Sequence, residues 1–361
     1  MPRVTFVVPC YRLAHLLGEC VESILSQTFA DFEVLIMDDC SPDRTPEVAR
    51  AFADPRVRHV RHEANVGHLR NYNIGIEMAQ GEYVWLISAD DRLRKPYVLE
   101  RFVGLMDRYR QVGYVFCPVM RFDGDVETTL YGAHGEQDWI KSGHEFLQVL
   151  ANGNSVPAAS GLVRRTCYER YGAFPLDLPF AGDWYMWALF ALHSKVAYFA
   201  EPMVGWRVHG ANMTHQFRAR PTALIDDEVR VLVRVREQAR ESRHPRIARL
   251  FTQAIQRYYA WRVAAGAAPD LVCHMTPAEM DASLERWCTD DDESRAIRGA
   301  AYAALADAFY DAGDRREARE CYEAALRLGT FAPRTGAKYL LLGAGRVGDQ
   351  VRATLARTSA P

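Results

Sequence analysis

The sequence predicts an α/β fold, a mostly parallel sheet between helical layers, followed by an all-helical domain; three observations carry that prediction. Residues 1–120 alternate short runs that are apolar on both faces with segments of helical periodicity, the pattern of strands covered by helices on either side of a parallel sheet. Residues 121–220 lose that regularity to Gly- and Pro-containing loops. From about Pro221 the composition turns to Ala-, Arg- and Glu-rich amphipathic helices with few β-branched runs. These shifts predict one domain over 1–220 and a second, helical one over 221–361.

The chain opens on the strand "VTFVVP" (4–9), after which Leu13, Leu16, Leu17, Cys20, Val21, Ile24 and Leu25 recur at helical spacing. The strand "FEVLIMD" (32–38), a helix near 46–53, the strand "VRHV" (57–60) and a helix from about Arg70 to Ala79 follow. Next come "YVWLIS" (83–88), a helix from Pro96 to Tyr109, and "VGYVFCPV" (112–119); Pro suits a first helical residue because its missing N–H has no partner there anyway. The loops "DGDVETTLYGAHGE", "ANGNSVPAAS" and "FPLDLPFAG" beside a rigid sheet read as walls of a binding site. In the helical half, "AYAALADAFYDAGDRREARECYEAALRLG" (301–329) spaces its small and aromatic residues like one tetratricopeptide-like helix pair. A free-standing solenoid needs about three copies, so a helix pair packing on its neighbours is the plainer reading and a partner-docking surface the sharper one.

With 44 Lys+Arg against 46 Asp+Glu the net charge is −2, which leaves no global field for nucleic acid. Eight cysteines lie far apart without a CxxC and read as reduced packing thiols of a cytoplasmic protein, not as a zinc site. The N-terminus enters a strand pattern at Val4 with no charged region leading into an apolar one, and no run approaches the ~18 apolar residues of a membrane span. Toward the C-terminus Arg334, Lys338, Arg346, Arg352 and Arg357 face only Asp349. That stretch reads as a solvated end cap, with peripheral contact at the inner face of an anionic membrane as the alternative.

Ligands of such sheets sit outside the carboxyl ends of the strands. Here the exits deliver Pro9-Cys10-Tyr11, Asp38-Asp39 and Ser88-Ala89-Asp90-Asp91. An isolated Asp pair is commonly a turn or a cap, but two acidic exits in one crevice repel each other unless a cation reconciles them. A hard divalent ion, Mg2+ or Mn2+, held by one or two carboxylates and completed by substrate phosphates, would do so.

The stretches "VTFVVPCYR", "LGECVESILSQTFADFEVLIMDDCSPD", "NVGHLRNYNIGIEMAQGEYVWLISADD", "AGDWYMW" and "WRVHGANMT" resemble the family 2 glycosyltransferases of GT-A fold over roughly residues 3–215. The resemblance implies that Asp39, with Asp38 beside it, meets the base of a nucleotide sugar in a pocket lined by Pro9 and Tyr11. Asp90 matches the last Asp of the family's DxD motif, which binds the metal on the diphosphate; Ala89 precedes it, and Ser88 replaces the first Asp with an uncharged hydroxyl. Asn65 and Gly67 match an Asn-x-Gly of the donor pocket, although a turn before a helix explains them equally. Tyr72 stands where many members carry Arg, with Arg70 as a nearby substitute.

Moving a sugar with inversion requires a carboxylate to take the acceptor proton and a Lewis acid on the departing diphosphate, from different segments. "FAGDWYMWALF" supplies a second acidic site, and Asp183 matches the family's catalytic base, with a helix cap as its structural alternative. Trp184 and Trp187 could stack on an acceptor, but large aromatics on a helix face are more often core. In "WRVHGANMT", His209 matches a residue that approaches the metal or diphosphate, and Arg207 suits a leaving phosphate. The resemblance implies a UDP-, GDP- or dTDP-linked donor, a glycan, lipid-linked or small-molecule acceptor, and work in surface polysaccharide or glycolipid assembly.

Rival readings are weaker. "PCYRLAHLLG" lacks the glycines of a dinucleotide-binding turn, and the formal GxGxxG at Gly343, Gly345 and Gly348 leaves no room for a βαβ unit before Pro361. A nucleotidyltransferase would show a basic glycine-rich loop after the first strand. A non-catalytic nucleotide-binding scaffold whose helical domain docks a partner draws support from Ser88.

Overall fold

The computed structural model describes residues 1–124, 126–210, 212, 221–265, 281–282, 284–286, 290–330, 338–340 and 342. The chain divides into two compact units, Met1–Phe217 and Arg218–Pro361.

The first unit runs β1 (Val4–Cys10), α1 (Ala14–Leu25), β2 (Phe32–Asp38), α2 (Thr45–Ala51), β3 (Val57–Arg61), α3 (His68–Met78), β4 (Tyr83–Leu86) and β5 (Arg92–Leu93). It continues with α4 (Val98–Arg108), β6 (Val112–Phe116), β7 (Val119–Asp123), β8 (Val126–Tyr131), β9 (Trp139–Lys141) and α5 (Gly143–Leu150). The last elements are β10 (Leu162–Arg164), α6 (Arg165–Tyr171), α7 (Gly182–His193), β11 (Lys195–Tyr198) and β12 (Val204–Arg207). An eight-stranded sheet has the order β3-β2-β1-β4-β10-β6-β11-β9. β1 pairs parallel with β2 and β4, and β2 with β3, so the mostly parallel sheet expected from the sequence is present. β1 is buried along its whole length, as a central strand covered on both faces must be.

Two features depart from the sequence reading. β10, three residues long, inserts antiparallel between β4 and β6. "VGYVFCPV" is not one strand: β6 ends at Phe116, and β7 joins a separate four-stranded sheet, β5-β12-β7-β8. Pro118, between them, has no N–H for the ladder and forces the break.

Helix α3, which carries site residues, lies close on the sheet at Gly75. A Cβ there would sit 2.4 Å from Val7 Cγ1 and 3.1 Å from Met37 Cγ, and Val7 is a fully buried β-branched side chain with no room to retreat. Gly75→Ala is therefore expected to lower stability by about 1–3 kcal/mol, despite the better helix propensity of Ala; urea denaturation would read it.

The second unit contains α8 (Pro221–Glu241), α9 (Pro245–Ala265), α10 (Asp291–Ala312) and α11 (Arg315–Arg327). The tetratricopeptide-like pair of the sequence is α10 and α11. Asp290 caps α10 by accepting from Glu293 N–H, Gly313 ends it at φ +86°, and Asp314 caps α11 by accepting from Glu317 N–H. Ile297, Ala301 and Leu305 of α10 and Ala318, Tyr322 and Ala325 of α11 are buried, so the small residues let the two helices approach closely. Gly343, Gly345 and Gly348, and the tail arginines 334, 346, 352 and 357, lie outside the described residues. Among the described residues no helix is long and apolar enough to cross a membrane.

Candidate active site

The end of β1 organises the site. Asp39 N–H donates to Cys10 O at 3.0 Å and Ala89 N–H to Pro9 O at 3.2 Å, so the exits of β2 and β4 hang on either side of one strand. Pro9 is buried there and Tyr11, just beyond it, is exposed.

The two carboxylates after β2 divide their work. Asp38 is fully buried; its Oδ1 accepts from Ser41 N–H at 2.8 Å, and its Oδ2 meets Arg61 Nη1 at 2.6 Å and His59 Nε2 at 3.2 Å. Burial opposes its ionisation, but the bonds from Ser41, Arg61 and His59 outweigh it and hold the carboxyl below the usual range. Expected beside the nucleotide, Asp38 is instead committed to the β2–β3 pair, where the parallel register sets it against Arg61. Asp39 faces the other way. Its Oδ1 accepts from Val66 N–H at 2.7 Å, its Oδ2 from Gly67 N–H at 3.0 Å, and Asn65 Nδ2 donates to its carbonyl at 3.2 Å. Asp39 thus holds the turn into α3, where Gly67 takes φ +84°; Asn65 and Gly67 are that turn and border Asp39 as well. Arg70, on α3, is exposed.

After β4, Ser88 is partly buried and Ala89 buried. Asp90 Oδ2 meets His209 Nε2 at 2.9 Å and accepts from Asn212 Nδ2 at 3.2 Å, while Arg207 Nε donates to the Asp90 carbonyl at 3.0 Å. Asp90 Oδ1 is buried and has no hydrogen-bond partner among the described residues. Asp91 is buried and accepts from Arg207 N–H at 3.0 Å; burial first, and then the Asp90 charge, push its carboxyl well above the usual range. The Arg207 guanidinium is paired with Glu19 of α1 and lies 4.3 Å over the Phe122 ring. Glu19, which also takes Arg92, has no sequence signal beyond its place in an amphipathic helix.

A divalent cation fits this cluster in one respect. The orphaned Asp90 Oδ1 is a hard oxygen donor, and the His209 imidazole meets the other oxygen of the same carboxylate. No group of three or more His, Cys, Asp or Glu among the described residues forms a metal cage, so the chain offers one or two donors and a bound phosphate would supply others.

Asp183 lies in the first turn of α7, whose cap residue is Ala181, so the capping alternative does not describe it. Its Oδ2 accepts from Asn154 Nδ2 at 2.9 Å and its Oδ1 from Trp184 N–H at 2.8 Å. Burial pushes its carboxyl up to about 6, with these hydrogen bonds pulling the other way. Asn154 sits in the loop "ANGNS", whose composition reads only as a turn. Trp184 and Trp187 are core: both are buried, Trp184 Nε1 donates to Leu150 O at 2.9 Å, and Trp187 packs 5.0 Å from Tyr114.

Tyr72 shows that these acidic groups converge. Burial, and then the charges of Asp90, Asp183 and Asp91, raise its phenol above the ordinary range, which requires all three carboxylates to lie near one side chain. The scaffold accounts for it: His68 Nε2 meets Pro179 O at 2.8 Å, and Asn73 exchanges hydrogen bonds of 2.8 and 2.9 Å with the Phe174 backbone. Helix α3 is thereby pinned to the loop that leads into α7.

A sheet of this order with acidic strand exits and a helical second unit defines a GT-A-like architecture. The fold of S. aureus TarS 1–349 matches it: the complex with UDP-GlcNAc gives a TM-score of 0.64 at 15% identity, covering 92% of this chain and 93% of that one. Residues 5–170 match the model of glycosyl transferase family 2, and this part of the chain is a glycosyl transferase family 2 domain. An uncharacterized glycosyltransferase of Rickettsia typhi is 25% identical over 215 residues, 59% of this chain and 66% of that protein. The succinoglycan biosynthesis protein ExoO of Rhizobium meliloti is 38% identical over 107 residues, 30% of each chain. The matched part thus spans from under a third to just under two thirds of these relatives.

Proposed function

We propose that the protein is an inverting, metal-dependent glycosyltransferase that moves a sugar from a nucleotide-diphosphate sugar to an acceptor hydroxyl. The observation that carries this reading is the convergence of Asp90 and Asp183, from distant segments, with one carboxylate oxygen unpartnered and the other carboxyl poised near neutral pH. The turn held by Asp39, with Tyr11 opposite, cradles the base of the nucleotide. Asp183 accepts the proton of the attacking hydroxyl, and Asn154 orients it. Asp90 and His209 would hold Mg2+ or Mn2+, which when bound supplies Lewis-acid neutralisation of the leaving diphosphate. Arg207, anchored by Glu19, holds the Asp90 backbone carbonyl and the Asp91 side chain and adds positive charge beside the leaving group. The solved complexes of TarS with UDP and with UDP-GlcNAc support a nucleotide-sugar donor, and the likeness to the succinoglycan biosynthesis protein ExoO supports a place in polysaccharide assembly.

A thermal-shift panel of UDP-, GDP- and dTDP-sugars with and without Mn2+, followed by assay of released nucleotide, tests the proposal. Ser88 favours a second reading, a nucleotide-binding scaffold: stabilisation by a nucleotide sugar with no transfer to any acceptor would select it.

The Asp183 environment also sets a pH profile. The base works ionised, so kcat/KM should rise from pH 5 to 7 with a midpoint near 6. Asn154 favours the ionised form, so Asn154→Ala should move that midpoint to higher pH and lower the plateau about tenfold. A profile flat from pH 5 to 8 would remove Asp183 as the base.

A further inference from the structure

We propose that the helical second unit carries a binding site for a phosphate group, in a cleft where the end of α8 meets the starts of α9 and α10; the inference is independent of the reading of Asp183 as base. The cleft, of about 770 Å3, is lined by Arg240 and Arg243 at the end of α8, Arg249 and Thr252 of α9 and Glu293 of α10. Three arginines thus face one carboxylate, and that carboxylate is already engaged. Glu293 Oε1 pairs with Arg236 Nη1 at 2.9 Å and accepts from Thr252 Oγ1 at 2.9 Å, and its Oε2 pairs with Arg240 Nη2 at 2.9 Å. Even with Glu237, which lies 3.7 Å from the buried Arg236, the four arginines 236, 240, 243 and 249 stand against two carboxylates. The Arg243 and Arg249 side chains are exposed and make no hydrogen bond or ion pair among the described residues.

The backbone adds a second observation. Arg243 takes φ +61°, a left-handed conformation that disfavours a residue with a Cβ and is the usual place of glycine at a helix end. It closes α8 as that glycine would, its N–H donating to Arg240 O at 3.0 Å and His244 N–H to Ala239 O at 2.7 Å. Gly would serve the turn better, so an arginine stands at the cleft against the local backbone preference. The first turn of α9 has no acidic side chain, and the positive end of its dipole therefore adds to the arginines. An anion would offset both. The cationic side chains of the lining are all guanidiniums; one guanidinium fork matches two oxygens of a phosphoryl group, and its remaining oxygen is free for another. A carboxylate is satisfied by one fork and leaves the others unused.

The test uses the full chain, titrated calorimetrically with inorganic phosphate and with pyrophosphate in chelator, and sedimented with vesicles of phosphatidylcholine alone or mixed equally with phosphatidylglycerol. Binding of phosphate or pyrophosphate assigns a free ligand; capture only by the vesicles that contain phosphatidylglycerol assigns a lipid headgroup. Either affinity should weaken about tenfold in Arg249→Ala and in Arg243→Gly. Arg246→Ala, which removes an exposed arginine of α9 outside the cleft lining, should stay within about twofold of the parent protein. Without ligand, Arg243→Gly should melt at or above the parent's temperature, because Gly suits the left-handed turn; lost binding is thereby separated from a damaged fold. No binding of any probe, affinity indifferent to both cleft replacements, or an equal loss in Arg246→Ala would overturn the site.

Discussion

Replacing Asp183 by Asn is expected to lower sugar transfer by about 1,000-fold while nucleotide-sugar affinity stays within twofold. Asn keeps the shape, and its single carbonyl oxygen can keep one of the bonds from Asn154 and Trp184, which are 2.9 and 2.8 Å to the two oxygens of Asp183, but it cannot take a proton. Burial raises the Asp183 carboxyl to about 6, so the folded chain holds a proton between about pH 4 and 6 that the unfolded chain releases. Stability therefore falls as pH rises through that window. Asn removes that pH dependence, which is on the order of 1–3 kcal/mol, so the variant should be inactive, and its melting temperature relative to the parent's should rise from pH 3 to pH 8. Transfer assays and paired melting curves would read both; unchanged transfer would end the assignment.

Asp90→Asn is the second large effect. The amide can keep its contacts with His209 and Asn212, while the charge and the affinity of the free oxygen for a hard cation are lost. Binding of the nucleotide diphosphate in Mn2+ should weaken about 100-fold, whereas binding in chelator should change little. The two replacements then separate: one spares binding and abolishes transfer, the other removes the response to the cation. Calorimetric titration with and without Mn2+ distinguishes them, and an equal response in parent and variant would exclude Asp90 as the metal ligand.

The first half of the sheet was legible because its strands are continuous apolar runs and its helices keep their periodicity. β10 was not, since "LVR" is too short to show a pattern and is defined by the strands it separates. The exits of β2 and β4 were readable as acidic, but the division between Asp38 and Asp39 depends on register: the charges of "VRHVR" fall beside Asp38 only once β3 is aligned with β2. Trp184 and Trp187, favoured as core, are core. Asn154 and Glu19 left no trace, because an Asn in a glycine-containing loop and a Glu on a helix surface are the least informative residues in their settings. Their roles arise from tertiary contacts with Asp183 and Arg207, which sequence spacing does not carry.

The partners of Asp90 lie 117, 119 and 122 positions further along the chain. During synthesis at roughly 5–20 residues per second, β1 to β4 can assemble on the ribosome many seconds before Arg207, His209 and Asn212 emerge. Throughout that interval Asp90 and Asp91 are neighbouring negative charges without their counterpart, and the crevice has no competent form. Completion of the acidic site is thus tied to the arrival of the last strand, and a nascent chain halted before residue 204 would lack these three partners of Asp90.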